Sequence, residues 1–357
     1  MIPISKPFIG EEEKQAVLEV LESGYLVQGP RTAKLEEKFT QICNTKFAIA
    51  TSSGTTALHI ALLAHCIGPG DEVITSPFTF LASVTSILFT GARPVFVDID
   101  EETFNIDPNL IEAAVTPNTK AILPVHLYGQ PCDMDAIMAI AQKHNLVVIE
   151  DACQAVGAEY HGQRVGSFGT GCFSLYATKN LMAGEGGMIT TDDEAFAQKC
   201  RMLRNHGMQR RYYHDTLGYN FRMTDLHAAI GLVQADRLED FNQKRRSNAN
   251  FLNENLHSVI TPVEKPGNRH VWHQYTIRVN AGKDRDEAVN QLNTAGVGTG
   301  IFYPVPAYHQ QPLIERGFGD LHLPVTEKAV REVISLPVHP QLSQTDLETI
   351  VTEVNKL

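Results

Sequence analysis

The sequence lacks several features that mark particular classes of protein. It has no uninterrupted apolar run of about 18 or more residues, so we expect no membrane-spanning helix. It has no excess of basic residues, and its net charge of −11 argues against broad binding to nucleic acid or anionic membranes. Residues 1–7 lack the basic and apolar segments of a signal peptide. These absences predict a cytoplasmic protein.

Disulfide and metal patterns are also missing. The six cysteines include no Cys-x-x-Cys pair, and several of them lie in apolar runs, so buried free thiols in a reducing compartment are expected. The fourteen histidines have no metal-ligand spacing, and no metal site is predicted. What is present is ordinary for a soluble enzyme: 357 residues, 43% hydrophobic and 20% charged.

Between about residues 45 and 200, short apolar runs alternate with helical patterns. This alternation predicts an α/β fold with a mostly parallel sheet that is covered on both faces. In such sheets, ligands bind beyond the carboxyl ends of the strands. The predicted strands are residues 47–51, 72–75, 94–98, 121–124, 146–150, 172–176 and 188–191, and helices are predicted at 55–65, 80–89 and 134–144.

The last third of the chain has a different pattern. A long amphipathic helix is predicted at 223–256, a strand at 273–279, and helices at 284–295 and 344–355. Together with an N-terminal helix at 11–23, this predicts a large domain over residues 1–240 and a smaller α+β domain over 241–357.

Lys179 is the residue that points most directly to chemistry. An apolar strand-like run leads to it, and Gly184, Gly186 and Gly187 close the loop behind it. A lysine at the mouth of a sheet can lose solvation, lower its pKa and attack a carbonyl to form a Schiff base. A solvated lysine in a loop is the alternative. The prediction of a Schiff base therefore depends on whether the sequence also contains the other residues of a pyridoxal phosphate site.

Three further segments supply such residues. Gly54 and Thr55 follow a strand and open a helix, which suits either a phosphate cradle or an ordinary N-cap. Asp151 ends a strand, where its carboxylate could hold a pyridinium nitrogen protonated or cap a turn, and Gln154 lies one helical turn later. Phe80 follows another strand and could stack on a planar ring or pack in the core.

These segments also resemble one family. The motifs are SSGTTAL at 52–58, EDACQ at 150–154, YATKNL with GEGG at 176–187, and LGYNFRMTD at 217–225. In order and spacing they resemble the sugar aminotransferases of the DegT/DnrJ/EryC/StrS type. The resemblance implies pyridoxal phosphate as cofactor and the fold type I, aspartate-aminotransferase-like architecture.

The resemblance also implies roles for single residues. Lys179 would form the Schiff base with the cofactor, Asp151 would face the pyridine nitrogen, Gln154 the phenolic oxygen and Phe80 the ring face. Some relatives carry histidine in place of the lysine and act as dehydratases, so Lys179 argues for transamination. The phosphate-binding residues would be Gly54, Thr55 and Ser174. Asn220 would reach the cofactor phosphate of a second subunit, so we expect a homodimer with shared active sites.

Substrate-binding residues are less well defined. His206, Arg210 and Arg211 lie in the densest basic run, which suits either a nucleotide diphosphate or a solvated face. Tyr303 and His309 resemble a family segment near the substrate. The sequence therefore predicts amino transfer, by resemblance from glutamate, onto a nucleotide-linked keto-sugar. A keto-cyclitol substrate and a non-catalytic regulator are the alternatives, and the intact Lys179 and Asp151 argue against the regulator.

Overall fold

The computed structural model describes all 357 residues of the chain. The helices are α1 Glu11–Ser23, α2 Pro30–Cys43, α3 Gly54–Ala64, α4 Ala82–Phe89, α5 Pro108–Ile111, α6 Met134–His144, α7 Glu194–Arg204, α8 Asp225–Asn255, α9 Arg285–Thr294, α10 Gln311–Ile314, α11 Pro324–Glu332 and α12 Gln344–Val354. The strands are β1 Phe47–Thr51, β2 Glu72–Thr75, β3 Arg93–Phe96, β4 Thr119–Leu123, β5 Val147–Asp151, β6 Glu159–Tyr160, β7 Gln163–Arg164, β8 Thr170–Ser174, β9 Gly187–Thr191, β10 Met208–Arg210, β11 Tyr213–His214, β12 Asn268–Arg269, β13 Tyr275–Arg278 and β14 Val333–Leu336. None of the helices combines the length and the apolar character that crossing a bilayer requires.

The central sheet has seven strands in the order β1-β9-β8-β5-β4-β2-β3. Strands β5, β4, β2 and β3 pair in parallel with their neighbours, and β5 is also parallel to β8. Strand β9 pairs antiparallel with both β1 and β8, so it is the one strand of this sheet that runs in the opposite direction. All seven strands predicted from apolar runs are present, and the predicted mostly parallel α/β fold is confirmed.

Alternate residues of the strands face two different sets of helices. On one face, Ile49, Cys172 and Ile189 pack with residues of α3 and α7 in a common apolar cluster. On the other face, Phe173 and Met188 pack with residues of α2 and α8. Successive side chains of a strand point to opposite faces, so a sheet covered on both sides needs an apolar residue at nearly every position. This is why the sequence shows apolar runs rather than alternation.

The C-terminal part of the chain has its own apolar core. Residues between Ala249 and Leu357 form one buried cluster around the antiparallel pair β13–β14, flanked by α9 and α12. Helix α8 passes through residue 241 without a break and joins this cluster to the large sheet. The division into domains at 240 and 241 therefore stays a prediction, because a continuous helix crosses it.

The first residues of the chain are joined to the C-terminal part. Ile2 forms a parallel bridge with Val297, the N–H of Ile2 donates to the Gly296 carbonyl at 2.7 Å, and the N–H of Gly298 donates to the Ile2 carbonyl at 2.8 Å. The side chain of Gln341 donates to the Lys6 carbonyl at 2.8 Å. We call residues 2–6 the N-terminal strap.

Candidate active site

One cavity of about 730 Å³ lies beyond the carboxyl ends of the central strands. Strands β1, β2, β5 and β8 run in the same direction, so the segments that follow them meet at one edge of the sheet. Those segments and Tyr303, from the C-terminal part of the chain, bring together eight of the residues predicted from the sequence. The eight that line the cavity are Gly54, Thr55, Phe80, Asp151, Gln154, Ser174, Lys179 and Tyr303.

Asp151 is the last residue of β5 and is 5% exposed. Its Oδ2 atom accepts a hydrogen bond from the Ser83 hydroxyl at 2.6 Å, and its Oδ1 atom accepts one from the Cys153 N–H at 3.2 Å. The Ser83 hydroxyl is in turn 2.8 Å from the Thr79 hydroxyl. The carboxylate is therefore held in one orientation at the wall of the cavity.

Lys179 lies on the loop that follows β8, where its N–H donates to the Tyr176 carbonyl at 2.9 Å. Burial lowers the pKa of the Lys179 amine, and Cys153 and Asp151 partly offset this effect. A lowered pKa increases the neutral fraction of the amine, which is the nucleophilic form. The two groups on which the chemistry depends, this amine and the Asp151 carboxylate, line the same cavity.

Gln154 is fixed at both ends of its amide. Its Oε1 atom accepts the Tyr128 N–H at 2.8 Å, and its Nε2 atom donates to the Tyr303 hydroxyl at 3.2 Å. Burial raises the pKa of the Tyr303 phenol, so this hydroxyl stays neutral. The ring of Tyr303 lies 6.2 Å from that of Phe80, which is 59% exposed and lines the cavity. An aromatic ring with an open face next to a cavity can stack on a planar ligand.

The N-terminus of α3 also opens at the cavity. Ser53 caps the helix, and its hydroxyl accepts the Thr56 N–H at 3.2 Å. The N–H groups of Gly54 and Thr55 belong to the first turn and have no partner within the helix. A Cβ atom at Gly54 would lie 2.8 Å from the Cβ of Ser174, so only glycine allows this close approach of α3 and β8.

These residues fit pyridoxal phosphate. A helix N-terminus with adjacent hydroxyl groups suits a phosphate dianion, a fixed carboxylate suits a pyridinium nitrogen, and a lysine of lowered pKa suits an aldehyde. All of them line one cavity. Its volume lies within the usual range for small-molecule sites, about 300 to 1,000 Å³.

Five residues predicted for the site do not line this cavity in the same chain: Asn220, His206, Arg210, Arg211 and His309. Arg210 and Arg211 lie on or next to the hairpin β10–β11, are exposed, and place their guanidinium groups over the rings of Tyr213 and Tyr212 at 3.6 Å and 5.0 Å. His206 is exposed at the start of the same segment, and the His309 ring packs at 4.5 Å from the ring of Tyr308.

Asn220 lies near the cavity without lining it. It is exposed and forms an antiparallel bridge with Asn205. The carbonyl of the next residue, Phe221, accepts the Ser52 N–H at 2.8 Å, so the segment is attached next to the start of α3. The contact of Asn220 with the cofactor of a second subunit stays a prediction.

Among the cavity residues that sequence reasoning missed are Ser83, Arg245 and His273. A serine within an apolar helix gives no signal that its hydroxyl meets a carboxylate on another strand. Arg245 did carry a signal, because it falls on the same face of α8 as the buried residues Leu238, Asn242, Ala249 and Leu252, at helical spacing.

Comparison with known proteins agrees with this site. Residues 7–355 match the profile of the DegT/DnrJ/EryC1/StrS aminotransferase family. A relative named pleiotropic regulatory protein, from Geobacillus stearothermophilus, is 46% identical over 343 residues, which cover 94% of this chain and 91% of the relative.

Two solved structures are similar over nearly the whole chain. DesV from S. venezuelae, solved with a ketimine intermediate, is 38% identical with a TM-score of 0.93, and the match covers 97% of this chain and 94% of DesV. The pyridoxal phosphate form of Spr1654 from Streptococcus pneumoniae, described as a sugar aminotransferase, is 30% identical with a TM-score of 0.95 and coverages of 99% and 98%. These neighbours confirm the predicted fold type I architecture, enzyme class and cofactor. The chain therefore belongs to the DegT/DnrJ/EryC1/StrS aminotransferase family of pyridoxal-phosphate-dependent sugar aminotransferases.

Proposed function

We propose that this enzyme transfers an amino group from glutamate to the ketone of a nucleotide-linked keto-sugar. The observation that carries the proposal is the presence of the Lys179 amine, with its lowered pKa, and the fixed Asp151 carboxylate in one cavity. Transamination needs a nucleophilic amine and a carboxylate beside the cofactor ring.

Pyridoxal phosphate, when bound, supplies an aldehyde and an electron-accepting ring. Asp151 would keep the ring nitrogen protonated, because Ser83 and Cys153 hold its carboxylate in place. Gln154 would face the phenolic oxygen, and Phe80 would cover one face of the ring. The N–H groups of Gly54 and Thr55 and the Ser174 hydroxyl would hold the phosphate.

Lys179 would act twice in each half-reaction. The amine of the donor would first replace the Lys179 amine at the aldehyde carbon of the cofactor. The released Nζ atom would then take the proton from the α-carbon of the donor and deliver it to the carbon that carried the aldehyde of the cofactor. Burial supports this role, since a lysine with an unchanged pKa would be almost entirely protonated near neutral pH.

We propose that the enzyme is a homodimer and that Asn220 binds the phosphate in the partner's cavity. The segment around Asn220 supports this, because large apolar side chains are exposed on it: Tyr212 is 75% exposed and Leu217 is 92% exposed. Exposed apolar side chains in such a group favour contact with another protein surface. The same contact would bring Arg210 and Arg211 toward the second active site.

The basic residues support a nucleotide-linked substrate. Arg210 and Arg211 form no ion pair within the chain, so their guanidinium groups are available to a diphosphate. His206, Tyr303 and His309 would contribute to the substrate side. The six free cysteines favour a reducing compartment, and we propose the cytoplasm.

The proposal is tested first with the donor alone. Glutamate without any sugar should bleach the absorption band of the bound cofactor and release one equivalent of 2-oxoglutarate per active site. A panel of nucleotide-linked keto-sugars and keto-cyclitols is then added, one compound at a time. Only the true acceptor should restore the absorption band. Complete inertness toward glutamate and other amino acids would contradict the transaminase, and selective restoration by a keto-cyclitol would identify that substrate class instead.

A further inference from the structure

Arg245 is a buried arginine in the wall of the Lys179 cavity. It lies on α8 and is 6% exposed. Its Nη1 atom donates to the carbonyls of Trp272 and His273, both at 3.2 Å. The guanidinium is therefore fixed on one side by backbone groups.

The other side of the guanidinium has no partner. Its Nε atom is buried without a hydrogen bond, and Nη2 takes part in none of the hydrogen bonds of Arg245. The N–H groups of Nε and Nη2 form one edge of the fork, which matches the two oxygens of a carboxylate. No group of the protein pairs with this edge. Nε is covered by neighbouring atoms, and Nη2, which is not covered in this way, is the end of the edge that a ligand in the cavity would meet.

The charge of Arg245 is also uncompensated. Burial lowers the pKa of its guanidinium to about 10, and no carboxylate contributes to that pKa. Burial and the charge of Arg245 also lower the pKa of His339 to about 4, and burial, Lys179 and Arg245 lower that of His273, so neither imidazole is charged at neutral pH. The cavity has two carboxylates: Asp151 is bound by Ser83 and Cys153, and Glu185 forms no hydrogen bond with Arg245. A buried charge without a counter-ion is destabilising unless a ligand supplies one.

We infer that the free edge of Arg245 binds a carboxylate group of the amino-acid donor. The inference rests on the proposed donor half-reaction. The donor must bring its amine to Lys179, and its carboxylate must then enter the same cavity. The phosphate of the cofactor has other partners at the start of α3, so it does not require this arginine. Arg245 would thus hold the donor by its carboxylate and would not take part in proton transfer.

The test measures binding of glutarate, an unreactive dicarboxylate, to the holoenzyme by calorimetry. In Arg245→Gln the Kd for glutarate and the KM for glutamate should each rise at least about thirtyfold, the usual scale for losing a buried charged contact. Arg245→Lys keeps the charge but loses the fork, so an intermediate rise is expected. The KM for the sugar acceptor and the Kd values for pyridoxal phosphate and for UDP should stay within about twofold.

Arg246→Gln is the matched control. Arg246 is the next residue of α8, but it pairs with Glu264 at 2.5 Å and does not line the cavity. Its loss should leave the glutarate Kd unchanged, whatever its effect on stability. Circular dichroism and the cofactor spectrum would establish that each variant is folded.

Each outcome separates the two proposals. If wild type neither reacts with glutamate nor binds glutarate, the donor proposal fails, and the role of Arg245 fails with it. If wild type does both and Arg245→Gln binds glutarate equally well, only the inference on Arg245 is wrong. An equal loss of affinity for pyridoxal phosphate or UDP would assign the arginine to a phosphate instead. If Arg245→Gln does not fold, Arg245→Lys provides the test. A Kd for glutarate in Arg245→Lys equal to that of wild type would contradict a contact through both Nε and Nη2.

Discussion

At the residue scale, the site depends on two side chains whose surroundings differ. The Asp151 carboxylate accepts hydrogen bonds from Ser83 and Cys153, whereas the Lys179 amine has no hydrogen-bond partner and loses solvation. Hydrogen bonds to a carboxylate favour its charged form, and burial of an amine favours its neutral form. The structure thus fixes the orientation of the carboxylate and increases the nucleophilic, neutral fraction of the amine.

Lys179→Ala should abolish transamination, with a loss of at least about a thousandfold in kcat/KM. No other amine lines the cavity, so neither the Schiff base nor the proton transfer has a substitute. Steady-state rates with glutamate and acceptor measure this. Activity within about tenfold of wild type would show that Lys179 is not the nucleophile.

Asp151→Asn should keep the fold and lose most of the rate, by about a hundredfold or more. The amide can still meet Ser83 and Cys153 but carries no charge to keep a ring nitrogen protonated. Ser83→Ala is the companion variant, because it keeps the carboxylate and removes one of its hydrogen bonds, so a smaller loss is expected. A wild-type rate in Asp151→Asn would make this residue a structural one.

At the scale of the elements, the central sheet could be predicted and the smaller elements could not. Buried strands of such a sheet are short apolar runs, and these runs are visible for all seven strands of the central sheet. Strands β6, β7 and β12 have two residues each, too short for any period, and they form a separate three-stranded sheet. The basic run was not recognised as a hairpin, because the residues of β10 and β11 show no alternation of apolar and polar side chains.

The residues of the candidate site also fall into two groups: those that the sequence predicts and those that it does not. Residues that follow strand ends, such as Gly54, Asp151 and Lys179, could be predicted because strand direction alone brings them together. Contacts between distant elements, such as that of Ser83 with Asp151, depend on packing and left no local pattern. Arg245 shares a face of α8 with buried residues, but this helix is rich in polar residues, and a charged side chain in such a helix is normally solvated.

Helix α2 is joined to α8 by one buried carboxylate. Asp225, 1% exposed, accepts the N–H groups of Gly29, Arg31 and Thr32 at 2.8, 3.0 and 2.9 Å and the Thr32 hydroxyl at 2.7 Å. Asp225→Ala should lower the free energy of unfolding by about 2 to 4 kcal/mol, because it leaves several buried donors unpaired.

Asp236→Ala is the control on the same helix. Asp236 is 70% exposed and pairs only with Lys38, so its loss should cost less than about 1 kcal/mol. Urea unfolding of the holoenzyme measures both variants. Equal stability of Asp225→Ala and wild type would show that the hydrogen bonds of Asp225 to the start of α2 are not needed to join the two helices.

The hairpin β10–β11 is the element proposed to meet the nucleotide. Replacing both Arg210 and Arg211 by alanine should raise the KM for the sugar substrate at least about fivefold and leave the glutamate half-reaction unchanged. Arg316→Ala, an exposed arginine elsewhere, serves as control. If the KM and its salt dependence do not change, the basic run is only a solvated face.

At the scale of the whole molecule, the shared-site proposal makes a quantitative prediction. If Asn220 serves the partner's cavity, Lys179→Ala and Asn220→Asp damage different sites of a mixed dimer. Random pairing makes half of the dimers mixed, each with one intact site, so about a quarter of wild-type activity should return from two inactive parents. The doubly tagged mixed dimer, once purified, should show about half of the wild-type rate, because one of its two sites is intact.

The parents must first be shown to be inactive, and the chains must be shown to exchange. In Asn220→Asp a carboxylate would face the phosphate dianion, so weak cofactor binding is expected in that parent. If each chain used its own Asn220, every site of the mixed dimer would carry one lesion. A verified mixed dimer without recovered activity would then end the shared-site proposal.

The N-terminal strap has a consequence for how the enzyme is made. Ile4 and Ser5 line the Lys179 cavity, but the strap is held by Gly296, Val297, Gly298 and Gln341. A ribosome adds about 5 to 20 residues per second, so the first residues wait roughly 15 to 60 s for their partners. During translation the large sheet can form early, yet its cavity keeps an open side until the partners of the strap have emerged. The enzyme therefore cannot become competent before the chain has been made as far as Gln341.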